Sequence, residues 1–441
     1  MGTLKMDRVI GVAIGAAVGD ALGAPFEFGP AGAFSRQFPT AARGLSTEMC
    51  GGGSFAWEPG EWTDDTQTAL HLAASLLTGD TVDEGDAFDR LLAWFRSGPA
   101  DVGNQTRRVL SSGRAWDQAA DADLAAGHLG GGNGALMRTW PAALRFLHDL
   151  AASEDAARRL ARITHADPDA VDCSVLLHRL IHRLVHDEAV EDIVSEVRGR
   201  WGSSRDPNGT AWVTLVQAVD ALEATSSPEE CLRAVIDLGG DTDTVASVAG
   251  ALAGAKWGVQ AFPSRWTTAV HGAVPGDPRP VATDSSSLQH LAIRLVGGQP
   301  APFIVPEPAV APEQIAEGLW VSNIAGAVGW DGPLISLCRP DGLQPTRSAR
   351  LVDQEDRNPA LDFVVADILA DIEALRAEGQ RVLVHCHGGR SRTGLILRAW
   401  LQQTQGLSYD EARARAIQLW PMTSTYNTEF EDCLQRRGNQ P

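Results

Sequence analysis

Cysteine is scarce in this 441-residue chain, and the six that occur stand apart: Cys50, Cys173, Cys231, Cys338, Cys386 and Cys433. None belongs to a Cys-x-x-Cys pair, which argues against a structural zinc site. So few thiols over so long a chain fit a reducing compartment better than a disulfide framework, and the expected localisation is cytoplasmic. Clustered positive charge is missing too. No basic run exceeds two residues, and 56 acidic against 37 basic side chains give a formal charge of −19. A field of that sign repels polyanions, so nucleic acid is an unexpected partner. Long apolar runs are also absent. The nearest, residues 9–19, is shorter than a bilayer span and runs into Asp20, so no membrane partner is expected. Its glycines at positions 11, 15, 19 and 23 line one helix face. Such a stripe lets another helix come close, so the segment reads as a buried core helix rather than a leader peptide. Internal repeats and coiled-coil heptads are lacking as well.

What is present divides the chain. Helical periodicity dominates residues 8–258, with helices expected near 67–77, 87–96, 141–150, 170–186, 210–224, 228–238 and 245–259. Residues 1–272 are thus expected to form an all-α domain. Residues 273–312 are rich in proline and serine around one amphipathic piece at 288–295, and read as a linker. Residues 313–441 alternate short apolar runs (319–321, 334–337, 381–385) with helical patterns (363–378, 393–405, 409–419). That alternation predicts a small α/β domain with a central sheet.

Two segments of the helical part combine carboxylates and hydroxyls just before a helix: Glu61-Trp62-Thr63-Asp64-Asp65-Thr66 and Gly239-Gly240-Asp241-Thr242-Asp243-Thr244. Either alone would be explained by helix capping. Together they offer more carboxylates than caps need. If the fold joins them, their repulsion calls for hard cations such as Mg²⁺ or Mn²⁺, and shared carboxylates suit two ions. A third segment, Gly131-Gly132-Asn133-Gly134-Ala135-Leu136-Met137-Arg138, exposes backbone N–H groups at a helix start, where phosphate is attracted.

The order Gly-Asp-Ala-Leu-Gly with Glu27, then Trp-Thr-Asp-Asp-Thr, the Gly-rich segment, Thr164-His165 and Gly-Gly-Asp-Thr-Asp-Thr resembles the ADP-ribosylglycohydrolase family. The resemblance covers about residues 6–260. It implies an all-α fold with two divalent cations, Mg²⁺ or Mn²⁺, held by Thr63, Asp64, Asp65, Asp241, Asp243 and Thr244. It implies Glu27 as the acid/base carboxylate beside the scissile bond. Gly131, Gly132, Asn133 and Gly134 would hold the diphosphate and distal ribose, and His165 would lie along the ADP-ribose. The substrate would be an ADP-ribosylated protein or a related small molecule, cleaved at an N- or O-glycosidic bond. No aromatic residue occurs in Leu129-Gly130-Gly131-Gly132, where some relatives stack adenine. Trp212 would supply that stacking or serve core packing, and the aglycone stays open.

The clearest pattern is Val382-Leu383-Val384-His385-Cys386-His387-Gly388-Gly389-Arg390-Ser391-Arg392-Thr393-Gly394. An apolar strand runs into a loop and then a helix. The loop can wrap its N–H groups around one phosphate, the helix start favours negative charge on the Cys386 sulfur, and Arg392 can hold two phosphate oxygens. A nucleophilic sulfur, a cradle formed by His387, Gly388, Gly389, Arg390, Ser391 and Arg392, and an arginine make a covalent phosphatase that needs no metal. The segment resembles the dual-specificity subgroup of protein tyrosine phosphatases over residues 313–435. That resemblance implies a general acid, Asp353 or Asp356, with Asp353 preferred by its spacing from Phe363. It implies that Thr393 helps Cys386 leave the phospho-enzyme. The substrate would be a phosphorylated protein or metabolite.

Three functional classes follow: a bifunctional hydrolase; a chain with one active and one structural or binding domain; and a reader of ADP-ribose without turnover. Glu27 favours hydrolysis, since a reader has no use for an acid/base carboxylate.

Overall fold

A computed structural model of the chain describes residues 3–202, 208–300, 308–340 and 342–438. It divides into two compact units.

The first unit is helical, and among its described residues no strand occurs beyond isolated bridges. Five of its helices carry the argument: α1 (Thr3–Gly23), α2 (Asp64–Leu76), α3 (Pro168–His186), α4 (Thr242–Trp257) and α5 (Ser285–Leu295). Helix α1 is long and apolar enough to cross a membrane by length and composition, more than the sequence pattern suggests, but 94% of that window is buried inside the protein. The glycine stripe explains how. A Cβ at Gly11, Gly15, Gly19 or Gly23 would stand 2.5, 2.1, 1.9 or 2.5 Å from the backbone oxygens of Gly254, Gly250, Ala246 and Thr242. Helices α1 and α4 therefore touch backbone to backbone, each lending the other small residues. Because α4 begins at the second Asp/Thr segment and α1 ends just before Glu27, this contact fixes the site.

Two expectations need correction. The single helix expected at 141–150 is instead Trp140–Arg145 followed by Leu150–Arg162. Asp149 lies between them in extended conformation and caps the second helix, its carboxylate accepting from the Ala152 N–H at 3.0 Å. The linker expected at 273–312 begins too early. Residues 269–300 belong to the first unit, where Val274, Ala282, Leu288, Leu291, Ala292 and Leu295 are buried. Residues 301–307 of that stretch lie outside the described residues.

The second unit holds the sheet. Strands β1 (Glu313–Ala316), β2 (Leu319–Asn323), β3 (Leu334–Ser336), β4 (Arg347–Ser348) and β5 (Val382–Cys386) lie in the order β1-β2-β5-β3-β4. Only the β1–β2 pair is antiparallel. Strand β5 is central and wholly buried, as its unbroken apolar run requires. Helices α6 (Leu361–Ala377) and α7 (Ser391–Gln405) help cover it, with Val365, Ile368, Leu369, Leu395 and Leu401 in the core. This unit also takes in residues 41–47 and 263–268, which the sequence pattern assigns to the first domain. Charge explains the exchange: the Asp371 carboxylate receives Arg43 at 2.9 Å, Arg347 at 3.0 Å and the Ser264 hydroxyl at 2.9 Å. Dispersed polar residues of this kind leave no periodic signal.

Candidate functional site

In the first unit the two Asp/Thr segments meet. Thr63 caps α2, its hydroxyl accepting from the Asp65 N–H at 3.3 Å. The Thr244 hydroxyl donates to Asp65 at 3.3 Å. Asp241 occupies the cap position of α4 but makes no cap bond with its side chain. Its carboxylate instead accepts from Asn133 Nδ2 at 2.8 Å. Capping therefore accounts for Thr63 and leaves the carboxylates for other work.

Their electrostatics are those of an uncompensated anionic cluster. Burial, reinforced by neighbouring carboxylates, pushes Asp64, Asp65 and Asp243 well above the usual carboxylate range. Glu27 is pushed up to about 8 by burial and by Asp101, Asp241 and Asp20. Glu27, Asp101 and Asp243 each place an oxygen within 4.8 Å of the others. Oδ1 of Asp65 and Oε2 of Glu27 are buried with no hydrogen-bond partner. Orphaned oxygens, a hard all-oxygen donor set and mutual repulsion fit divalent cations.

Four further positioning residues support the site, and of these Asp20 alone stands in one of the sequence motifs, Gly-Asp-Ala-Leu-Gly. Asp20 is buried, accepts the backbone N–H groups of Thr63 and Thr66 at 3.0 Å and the Thr66 hydroxyl at 2.6 Å, and so anchors the start of α2. One signal does mark it, an acid interrupting an apolar helix. Gln105 receives the Gly132 N–H at 3.1 Å and donates to the Gly130 carbonyl at 2.9 Å, holding the Gly-rich loop. Asn208 receives the Asp241 N–H at 2.8 Å. Asp101 comes from a short connection, and only the fold reveals it.

The Gly-rich loop pairs with residues 209–211 through Asn133 N–H to the Gly209 carbonyl (3.3 Å) and Ala211 N–H to the Gly131 carbonyl (3.0 Å). His165 packs against it so closely that a Cβ at Gly132 or Gly134 would approach the ring to 3.2 Å. The ring is fully buried, and burial followed by Arg138 holds it far below the usual imidazole range, so it is neutral. Trp212 is half-buried and lies on Gly131, where a Cβ would meet the ring at 2.3 Å.

Residues 1–301 match the model of the ADP-ribosylglycohydrolase family. The chain belongs to that family. Its ADP-ribosylglycohydrolase domain is similar to ADP-ribosyl-[dinitrogen reductase] glycohydrolase of Rhodospirillum rubrum, 34% identical over 273 residues, spanning 59% of this chain and 89% of the relative. It is 31% identical over 292 residues to ADP-ribosylarginine hydrolase Tri1 of Pseudomonas putida, spanning 60% and 74%. A solved structure of an ADP-ribosylglycohydrolase-related protein complex aligns with a TM-score of 0.53 at 33% identity, over 66% of this chain and 98% of that one. The chain is thus a hydrolase of the ADP-ribosylglycohydrolase type. Its C-terminal region is 36% identical over 80 residues to dual specificity protein phosphatase 12 of Homo sapiens, 17% of this chain and only 23% of that relative.

In that region Cys386 is the buried last residue of β5, and α7 begins five residues later at Ser391. The intervening turn is tight. Gly389 has φ +67°, and a Cβ there would stand 2.9 Å from the Ser322 oxygen. Its carbonyl accepts Trp420 Nε1 at 2.6 Å. Within the turn and first turn of α7, His387 Nε2, Arg392 Nε and Thr393 Oγ1 are buried without a hydrogen-bond partner. A cradle of unsatisfied donors is a ready anion site. Asp353 lies 3.9 Å from Arg392, whereas Asp356, at φ +55°, lines a separate cleft with Asn358, Glu429 and Arg436.

Proposed function

We propose that the ADP-ribosylglycohydrolase domain cleaves an ADP-ribosyl N- or O-glycosidic bond with the aid of two divalent cations, Mg²⁺ or Mn²⁺. The carrying observation is the joined carboxylate cluster with its orphaned oxygens and the half-buried Glu27 beside it. Thr63, Asp64, Asp65, Asp241, Asp243 and Thr244 would hold the cations. Once bound, they would supply Lewis-acid polarisation of the ribose next to the scissile bond. Glu27, whose proton is retained to about pH 8 in the bare cluster, donates to the leaving group and then takes a proton from the attacking water. Burial first, and then the neighbouring Asp101 carboxylate, keep that proton on it. Asn133 and the loop N–H groups orient the diphosphate and distal ribose, and neutral His165 packs along the ligand without adding charge. Trp212 offers the adenine a ring face. Relatives named for ADP-ribosyl-dinitrogen reductase and ADP-ribosylarginine point to an ADP-ribosylated protein as substrate.

The C-terminal unit hydrolyses phosphomonoesters without metal. The sulfur of Cys386 attacks phosphorus, the bond to the leaving oxygen breaks, and Asp353 gives that oxygen its proton. Water then attacks the phosphocysteine, Asp353 takes the water's proton, and Thr393 assists the departing sulfur. Arg392 and the loop N–H groups of residues 387–391 carry the phosphoryl charge. Incubation of the full chain with ADP-ribosyl-arginine and ADP-ribosyl-serine peptides and with ADP-ribose-1″-phosphate, with Mg²⁺, Mn²⁺ or EDTA, tests both halves. Undiminished ADP-ribose release in EDTA would refute the cation requirement. Phosphate release from an aryl phosphate, which has no glycosidic bond, that needs a divalent cation would refute the cysteine mechanism.

A further inference from the structure

One connection near the C-terminus reaches both halves of the phosphate site. It joins α8 (Tyr409–Leu419) to α9 (Thr428–Gly438). Its first residue, Trp420, is buried, and its indole Nε1 donates to the Gly389 carbonyl at 2.6 Å. A second carbonyl of the cysteine loop, that of His387, accepts the Ile324 N–H at 3.3 Å, just past the end of β2. The peptides are trans, so each carbonyl held on the outside turns the next N–H, of Gly388 and of Arg390, into the hollow of the turn. The backbone of Ile324 holds one of these peptides and the Trp420 indole holds the other. The connection also lies on the start of α7, where a Cβ at Gly394 would stand 2.9 Å from the Thr423 side chain.

The acid side is held from the other end of the same connection. Asp353 follows Val352, whose N–H donates to Asn358 Oδ1 at 2.8 Å and whose carbonyl accepts Asn358 Nδ2 at 3.0 Å. One buried amide thus closes the neck of a loop whose crown, residues 354–357, is exposed. Asn358 is held in turn by Glu429, in the first turn of α9. One carboxylate oxygen accepts its backbone N–H at 3.1 Å and the other accepts its Nδ2 at 2.8 Å. Glu429 can only accept here, so the amide has one orientation, with Oδ1 towards the Val352 N–H. Holding Val352 at both its N–H and its carbonyl places the Cα of Asp353, whose carboxylate lies 3.9 Å from Arg392. Displacing a proton donor by about 1 Å costs on the order of a hundredfold, so this neck bears on catalysis.

We propose that residues 420–429 form a positioning frame divided between the two tasks of the phosphate site. Trp420 sets the cradle that binds the phosphoryl group, and Glu429, through Asn358, sets the proton donor Asp353. The proposal rests on the phosphatase reading above and adds to it residues that act through others. The division gives the two residues opposite signatures. A cradle defect weakens every phosphate ester alike, whereas a misplaced acid harms only esters whose leaving group needs the proton.

The test uses the full chain and measures kcat and KM on an alkyl and an aryl phosphate, with calorimetric binding of inorganic phosphate. Trp420→Phe, which keeps a ring in the core but loses the N–H, should raise the phosphate Kd and both KM values about tenfold. Glu429→Gln turns one of two acceptors into a donor facing Asn358. It should lower kcat for the alkyl ester about tenfold and leave the aryl ester and phosphate binding within about twofold. In an Asp353→Asn background it should have no further effect on the alkyl ester. Replacing Trp420 by benzothienylalanine, whose sulfur stands where the indole N–H was, gives the same reading at constant shape if Trp420→Phe does not fold. Equal kcat losses on both esters in Glu429→Gln, as plain destabilisation would give, would overturn the frame. So would unchanged phosphate affinity in the Trp420 variants. A wild type that binds phosphate and hydrolyses neither ester would sink the phosphatase reading and the Glu429 half with it, leaving Trp420 to be judged by the phosphate affinities. A wild type that does not bind phosphate overturns both.

Discussion

The hydroxyl of Thr244 stands 3.3 Å from the carboxylate of Asp65, joining two helix starts 179 residues apart in the chain. Around that contact several carboxylates are buried together, and folding brings them there against their own repulsion. Charge of that kind is a functional store, since it weakens the empty domain and strengthens the loaded one.

The first prediction follows from that repulsion. Asp65→Asn removes one charge from the cluster, so the cation-free variant should melt a few degrees above the cation-free wild type. Its stabilisation by Mn²⁺ should shrink, and ADP-ribose release should fall on the order of a thousandfold, as loss of several kcal/mol of charge stabilisation implies. Thermal melts with and without EDTA, beside a release assay, check all three. A variant that melts lower than wild type in EDTA would contradict the repulsion.

The second concerns the frame that aligns the helix starts. Gly19→Ala would place a Cβ 1.9 Å from the Ala246 oxygen, backbone that cannot step aside. It should cost about 3 kcal/mol and shift α4 with the carboxylates it carries. Gly199→Ala, on an exposed helix face with nothing within 4 Å, should be neutral or stabilise by up to about 1 kcal/mol. Urea unfolding of the two variants measures the contrast. Similar stabilities would show that the helices can separate without loss.

That glycine stripe is legible in the amino-acid sequence, because a four-residue period maps directly onto one helix face. The Asp/Thr segments and the cysteine loop are legible for a similar reason, each being contiguous in sequence. Asp101 and Phe28 are not. Asp101 reaches Glu27 from a connection with no motif, and Phe28 takes a left-handed backbone that no neighbouring residue type advertises. Residues 288–295 show the opposite failure. Their apolar spacing is helical, but the prolines on either side disguise a core helix as linker. Residues 41–47 and 263–268 escape assignment because ion pairs such as Arg43 with Asp371 depend on distant partners.

The third prediction separates the two activities. Cys386→Ser should abolish phosphate release and leave ADP-ribose release unchanged, because a serine hydroxyl is a far weaker nucleophile at neutral pH. Asp353→Asn should slow alkyl phosphates by about 100-fold and aryl phosphates much less, since a poor leaving group needs the proton more. Asp356→Asn should stay within twofold of wild type, its carboxylate lining another cleft. Steady-state rates on the two ester types decide. A damaging Asp356→Asn with a silent Asp353→Asn would reassign the acid.

The last prediction is a pH dependence with a single residue behind it. His178 is buried in α3, its Nε2 bonded to the Thr139 carbonyl at 3.1 Å and its Nδ1 set 3.0 Å from the Ser153 hydroxyl. Burial outweighs the carbonyls around it and lowers the imidazole from 6.5 to about 4. The folded domain therefore refuses a proton that the unfolded chain accepts below about pH 6.5. Stability from His178 is fully present above that pH and drains away as the pH falls towards 4. Between pH 7.5 and pH 5 the wild type should lose about 2 kcal/mol more than His178→Asn, a side chain that keeps a donor and an acceptor but takes up no proton. At pH 7.5 the variant should be the less stable protein, and the gap should narrow on acidification. Urea unfolding of both proteins at the two pH values gives the double difference. A gap that widens at pH 5 would mean that the folded imidazole holds its proton, with the Ser153 and Thr139 carbonyls outweighing the cost of burial.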